Sequence, residues 1–307
     1  MIAIVVHGGA GGTSRAAQRG CRQAAEIGME ILRKGGSALD ASVAAVEWME
    51  NSGNFNAGTG SVLRMDRSIQ MDAAVAVAHG SLVTQGAVEV VEDVQNPVLL
   101  AVEVLKTPHV KIAGDGAVQL ARRLGLPGHP GPSRLALQRH QRLLKAIERG
   151  ELDTAAPGWT PEALAQFFGE GDIESGSGSL VSVEKECDTV GAIAFDRVDR
   201  VATAASTGGM SIMLPGRVGD VTARGAGFEI GSLGGVLSTG IGEEIIRLQG
   251  AGSVFQFIQR GVLPQLACEL TVQLFGQNIP VGFIALTKDG VGIASNRDMP
   301  SHSIVEE

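Results

Sequence analysis

Two stretches of strand and helix patterning are divided by a polar segment that ends abruptly at Thr189. Upstream, residues 150–188 carry "GELDTAAPGWT" and "GEGDIESGSGS", where Gly, Ser, Asp and Glu dominate, the composition of a mobile linker. A structureless stretch of this length inside a compact domain is usually functional or disordered. Downstream, "TVGAIAFD" is strand-like, "RVDR" makes a turn and "VATAAS" is a second strand. Any fold must accommodate a buried hairpin that begins directly where the linker stops.

The flanking pattern supplies the rest of the frame. Residues 2–7 read as a buried strand, and 14–34 and 37–51 as helices, the second opened by Ser37 with Asp40 at the third position in a capping-box arrangement. Strand-like runs are expected over 60–78. Asn96-Pro97 predicts a helix over 97–106, followed by helices over 115–124 and 134–149. Beyond the hairpin comes a glycine-rich loop, "TGGMSIMLPGRVGD", then helices over 242–249 and 260–275. A final hairpin, "VGFIALTKDGVGIAS", turns at Asp289-Gly290. Grouped strands and helices favour an α+β domain, in an αββα layering, over strict βαβ alternation.

Composition narrows the partners. The chain has 307 residues, 44% hydrophobic, so it can bury a sizeable core. Its 43 glycines are about twice ordinary usage, pointing to tight turns and close backbone approaches. The net charge of −8, with no basic block, disfavours nucleic acid and anionic membrane surfaces. No apolar run reaches the roughly 20 residues a membrane-spanning helix needs. The start, "MIAIVVHGG", lacks the basic and apolar regions of a signal peptide. Cys21, Cys187 and Cys268 are odd in number and far apart, which suits a reducing cytoplasm. No histidine pair or C-x-x-C has the spacing of a zinc site.

Seven short strings then occur in order: "HGGAGG" (7–12), "NFNAGTGSVL" (54–63), "CDTVGAIAFD" (187–196), "STGGM" (206–210), "PGRVGD" (215–220), "GAG" (225–227) and "STGIGEEIIR" (238–247). Together they resemble the plant-type asparaginase, isoaspartyl peptidase and glycosylasparaginase family of N-terminal-nucleophile (Ntn) hydrolases. The resemblance covers nearly the whole chain and is weakest over 125–185. It implies a four-layer αββα Ntn-hydrolase sandwich, a single domain over 1–307, cut between Asp188 and Thr189 into 1–188 and 189–307. It also implies a homodimer of cleaved protomers.

The chemistry of Thr189 stands beside that resemblance. A threonine hydroxyl is a poor nucleophile unless a base takes its proton. Cleavage before Thr189 would free an α-amine with a pKa of about 8, close to the optimum for a general base at neutral pH. Nucleophile and base then come from one residue. An isolated "DTVG" would read merely as the polar entry to a strand; the surrounding motifs favour the nucleophile.

Other roles follow from the resemblance. Thr207 resembles the threonine that hydrogen-bonds the nucleophile. Arg217 and Asp220 resemble the pair holding the substrate's α-carboxylate and α-amino group, a fit for a guanidinium fork and a carboxylate, although opposite charges three apart can also staple a turn. Thr239 and Gly240 resemble the oxyanion-binding pair, and Asn56 a residue of the substrate pocket. "MENSGNFNAGT" matches a loop that wraps a structural sodium ion with the backbone carbonyls of Met49, Glu50, Ser52, Phe55, Ala57 and Thr59; no other cofactor is expected. "HGGAGG" could pass for a lipase-type oxyanion loop or part of a dinucleotide fingerprint. Without G-x-S-x-G, or the third glycine of G-x-G-x-x-G, His7 and its glycines read as site-supporting.

The expected reaction is hydrolysis of the side-chain amide of L-asparagine or of β-linked isoaspartyl dipeptides, releasing aspartate. Alternatives are a glycosylasparaginase, a threonine-aspartase-like protease, or an uncleaved binding protein on the same fold. Several departures bear on substrate choice. Asp188 precedes the threonine where many plant-type asparaginases have Gly, and Cys187 stands where glycosylasparaginases have histidine. Met213 replaces a frequent lysine, and "GAGFEI" lacks the usual Tyr-Ala. Two tryptophans and no tyrosine offer little for an aromatic-rimmed sugar site.

Overall fold

A computed structural model describes residues 1–11, 14–148 and 189–307. The linker expected over 150–188, with Cys187 and Asp188, lies outside these residues.

The described chain runs β1 (Ile2–His7), α1 (Arg15–Arg33), α2 (Ala38–Ser52), β2 (Met71–His79), β3 (Leu82–Val91), α3 (Pro97–Leu105), β4 (Lys111–Ala113), α4 (Gly114–Arg123) and α5 (Arg134–Glu148). After Thr189 come β5 (Val190–Phe195), β6 (Val201–Thr207), β7 (Phe228–Gly231), β8 (Gly234–Gly240), α6 (Gly242–Leu248), α7 (Gly250–Gln259), α8 (Pro264–Val272), β9 (Val281–Thr287), β10 (Gly290–Ser295) and β11 (Ser301–Glu306). Seven strands form one sheet in the order β11-β1-β5-β6-β2-β3-β4, and four form another in the order β10-β9-β8-β7. The β5–β6 hairpin therefore sits in the middle of the larger sheet.

Strand alternation sorts side chains between the two faces of that sheet. Ile2, Ile4, Val6, Ala192, Ala194, Ala202 and Ala204 join α1 to α4 in one core. Ala3, Val5, Ile193, Phe195, Val201 and Ala205 pack instead against Phe228, Leu237, Ile284 and Leu286 of the smaller sheet. A third core joins Val236, Phe283 and Ala285 to α6, α7 and α8. The expected α+β architecture is present, with helices and two sheets.

Local chemistry explains the boundaries. Ser14 Oγ accepts the Ala17 N–H at 2.9 Å to open α1. Ser37 and Asp40 close a reciprocal capping box on α2, which ends on Gly53 at φ 67°. Asn96 occupies the cap position of α3 but makes no side-chain cap bond. Glu50 supplies the acceptor instead: its Oε1 takes the Val98 N–H at 3.1 Å and its Oε2 the Asn96 Nδ2 at 3.0 Å.

Two expectations change. The strand expected from residue 60 begins only at Met71, because Gly58–Gly60 is a 3₁₀ turn and Asp66 accepts both the backbone N–H and the hydroxyl of Ser68 in a tight polar turn. The helix expected over 260–275 is shorter, because Gly261 at φ 83° interrupts the chain and Pro264 opens α8; α7, over Gly250–Gln259, was not expected.

A bulge interrupts the β2–β3 pairing between Met71 and Ala73. There Val90 takes φ 54°, with its N–H donated to Asp72 Oδ1 at 2.8 Å. A β-branched residue in the left-handed region is strained by about 1–2 kcal/mol. Val90→Asn is expected to raise Tm by about 2–4 °C, measured by calorimetry. A lower Tm would show that the valine's packing outweighs its backbone strain.

Candidate active site

Alternation turns three threonines toward the space between the two sheets. Thr189, Thr207 and Thr239 share the parity of Ile193, Ala205 and Leu237, whose side chains fill the space between the sheets. All three threonines are buried. The β5–β6 register pairs Val190 with Ser206, so one step further faces Thr189 to Thr207. Directly opposed cross-strand residues have Cβ atoms about 5 Å apart. The register was not legible before the strands were paired, but the odd–even pattern was.

The hydroxyls are held by backbone donors. Thr207 Oγ1 accepts the Gly209 N–H at 3.0 Å, and Thr239 Oγ1 accepts the Ala10 N–H at 3.3 Å. A hydroxyl that accepts through one lone pair keeps its own proton to donate. Gly240, at φ 138°, lies so close to the Pro280 carbonyl that a side chain there would collide with it. His7 is buried at the end of β1, paired in register with Gly191. Neither ring nitrogen has a hydrogen-bond partner among the described residues, and burial pushes its pKa down to about 3. This imidazole lies over Gly191 on the inter-sheet face, where a Cβ would stand 2.5 Å from Nε2 and 2.7 Å from a Leu237 methyl.

Asn56 joins the site from below. Its Nδ2 donates to the Gly209 carbonyl at 2.6 Å, its Oδ1 accepts the Val62 N–H at 3.0 Å, and its own carbonyl accepts the Gly208 N–H. The amide is thus engaged by backbone at both ends, and it shapes the Gly208-Gly209 turn.

Arg217 and Asp220 converge on the start of α6, where a Cβ at Gly242 would lie 2.8 Å from Arg217 Nη2 and 3.0 Å from Asp220 Oδ1. The Arg217 guanidinium is gripped by Glu243, with Nε donating to Oε1 at 2.9 Å and Nη2 to Oε2 at 2.8 Å. Asp220 Oδ2 is buried with no partner among the described residues. Burial pushes the Asp220 carboxyl up to about 7, partly offset by the Arg217 charge. With its Nε–Nη2 edge taken by Glu243, the guanidinium can offer its remaining N–H groups to a substrate carboxylate, while the unsatisfied Asp220 oxygen can take an ammonium. Glu243 was missed in the sequence, although an acid three residues past "TG" in "STGIGEE" sits in the first turn of the following helix.

The proposed sodium loop spans the end of α2 and the turn after it. The Met49 carbonyl accepts from Ser52 Oγ and the Phe55 carbonyl from the Ala57 N–H. A carbonyl has a second lone pair, so both retain coordinating capacity. A Cβ at Gly60 would lie 2.1 Å from the Phe55 oxygen and 3.1 Å from the Gly53 oxygen, so both carbonyls close on the Gly60 backbone, and of the two only Phe55 belongs to the expected set of carbonyl oxygens. Such a donor set fits a hard cation. The Glu50 carboxyl is committed to α3, and burial pushes its pKa up to about 8.

A family model described as Asparaginase matches residues 1–303. The chain belongs to the asparaginase family. It is 37% identical to the plant-type L-asparaginase of Pyrococcus furiosus, over all of this chain and 97% of that one. It is 36% identical to the plant-type L-asparaginase of Pyrococcus abyssi, with the same coverage. The isoaspartyl peptidase/L-asparaginase of Homo sapiens is 33% identical over 95% of this chain and 88% of that protein. The asparaginase family thus extends across both sides of Thr189. Among the described residues, no helix is long and apolar enough to cross a membrane.

Proposed function

We propose that this chain is an autoprocessing threonine amidohydrolase acting on L-asparagine and β-aspartyl dipeptides. The observation that carries this reading is the pairing of Thr189 with Thr207 on the inner face of the larger sheet, with Thr239 turned inward from the smaller sheet that packs on it. The names of its relatives supply the substrate class. Cleavage before Thr189 frees its amine, which takes the hydroxyl proton as Oγ attacks the side-chain amide carbon. Thr207, holding the Gly209 N–H, keeps its proton to donate to the nucleophile. Arg217 and Asp220 hold the amino-acid end. Thr239 and the Gly240 N–H meet the developing oxyanion. Collapse expels ammonia, or the peptide amine, and leaves a β-aspartyl ester on Thr189; water then releases L-aspartate.

The proposal includes the finer architecture. The two sheets and their outer helices are taken as the four-layer αββα Ntn-hydrolase sandwich. Residues 1–307 form one domain, cut into 1–188 and 189–307, and two such protomers form a homodimer in the cytoplasm. A sodium ion would be held by the carbonyls of Met49, Glu50, Ser52, Phe55, Ala57 and Thr59 and would stiffen the loop that carries Asn56; it enters no chemical step.

Denaturing mass spectrometry should give two fragments ending at 188 and starting at 189. Incubation with L-asparagine, β-Asp-Leu and a glycosylasparagine should show aspartate release from the first two. An intact chain without turnover would support the uncleaved binding protein instead, and preference for the third substrate would support a glycosylasparaginase.

A further inference from the structure

The segment before β2 contains a buried cation with no role in the chemistry above. Arg64 is fully buried, between the apolar Leu63 and Met65. Its Nη2 donates to the carbonyls of Gln70 and Arg217, each at 3.1 Å. Its guanidinium also lies against Gly209, where a Cβ would stand 2.7 Å from Nη1. Two neighbours on the same segment reach the same stretch of chain. Gln70 Oε1 accepts the Gly216 N–H at 2.7 Å, and Asp72 Oδ2 accepts the Gly219 N–H at 3.4 Å. The backbones of the two segments also join, with the Ile212 N–H on the Leu63 carbonyl and the Met65 N–H on the Met213 carbonyl.

We infer that Arg64, with Gln70 and Asp72, is a positioning residue for substrate binding: the three side chains fix the backbone of residues 216–219 so that Arg217 and Asp220 face the substrate together. This deepens the proposed function and rests on it. The polarity matches at each point, acceptors from Gln70 and Asp72 meeting N–H groups and a cation meeting the Arg217 carbonyl. Charge-assisted bonds inside a protein are the stronger kind. The need for such bracing is visible at Ile212, a β-branched residue at φ 55°, which no local preference would hold there. Arg64 Nε and Nη1 have no acceptor among the described residues. A residue kept with two unsatisfied donors is a poor device for stability, so its value lies in where it holds the Arg217 carbonyl.

The test compares Arg64→Met, Arg64→Lys, Arg217→Lys and the double variant Arg64→Met/Arg217→Lys, with kcat and KM for L-asparagine normalised to the processed fraction. Removing a buried cation beside Asp72 can itself destabilise the fold, so each variant is first checked for folding and cleavage. Arg64→Met should raise KM about tenfold or more and leave kcat within about threefold. Arg64→Lys should recover part of that loss. In the Arg217→Lys background, Arg64→Met should add little, because the residue through which it acts is already displaced. If Arg64→Met does not fold, Gln70→Leu, which frees the Gly216 N–H, should show the same KM rise. The inference is overturned by multiplicative losses in the double variant, by loss in kcat alone, or by an unchanged KM when Arg217→Lys raises it. An Arg217→Lys variant with unaltered KM would instead sink the substrate clamp itself.

Discussion

Thr189→Ala is expected to leave one uncut 307-residue chain and to lower asparagine turnover by at least ~10⁴-fold. Under the proposed mechanism two functions would vanish together, because one hydroxyl would attack first the bond before it and then the substrate. Thr189→Ser keeps the hydroxyl and should retain both the cut and measurable turnover. The geometry explains why no neighbour can substitute. Thr207 accepts from Gly209 and Thr239 from Ala10, so both hydroxyls are oriented by the backbone. Neither can gain a free α-amine, since each sits inside or at the end of a strand. The rate in the processed enzyme should fall as pH drops below about 8, where the amine takes up a proton and ceases to be a base. An alanine variant that still splits at this position, seen by mass spectrometry, would remove Thr189 from the mechanism. So would turnover at the parental rate.

Much of this site was legible because strand parity and motif order are written locally. The β5–β6 hairpin, the caps at Ser14 and Ser37 and the final hairpin each depend on a few adjacent residues. The missed features depend on partners far away. Arg64 looks in sequence like one more surface arginine, and only the 209–217 loop folding over it makes it a buried brace. Glu50 was read for its carbonyl, yet its carboxyl proved to cap α3, a contact spanning 48 positions. Similarly, Asn96 announced a helix start correctly while leaving the cap bond to Glu50. The late start of α8 at Pro264 was within reach, since Gly261 and Pro264 are ordinary stop and start signals. In this chain the candidate site residues lie on short ordered strings, whereas the contacts that support them are polar and long-range.

Asp220 shows what such support costs, and Asp220→Asn should gain stability while losing function. The Asp220 carboxyl is buried with Oδ2 unpartnered, and its pKa is raised from 3.8 to about 7. In the unfolded chain it ionises near pH 4. Its favourable contribution to folding is therefore fully present below pH 4 and is lost as pH rises through about 7, a loss of a few kcal/mol at most. Above that, the ionised carboxylate is a standing cost that Arg217 offsets in part and a bound ammonium would relieve further. Asparagine in the Asp220→Asn variant should raise Tm relative to the parent by about 2–6 °C at pH 8. The difference should shrink towards zero at pH 4.5, where the parent carboxyl is already protonated in the fold. The same change should raise KM for L-asparagine by about 100-fold, because the substrate ammonium loses its charged acceptor. Succinamic acid has the amide and the distal carboxylate but no amino group, so its turnover should be nearly indifferent to the substitution. A Tm gain that persists at pH 4.5 would show that packing, not ionisation, is responsible. Equal losses on both substrates would show that Asp220 serves the fold of the loop and not the ammonium.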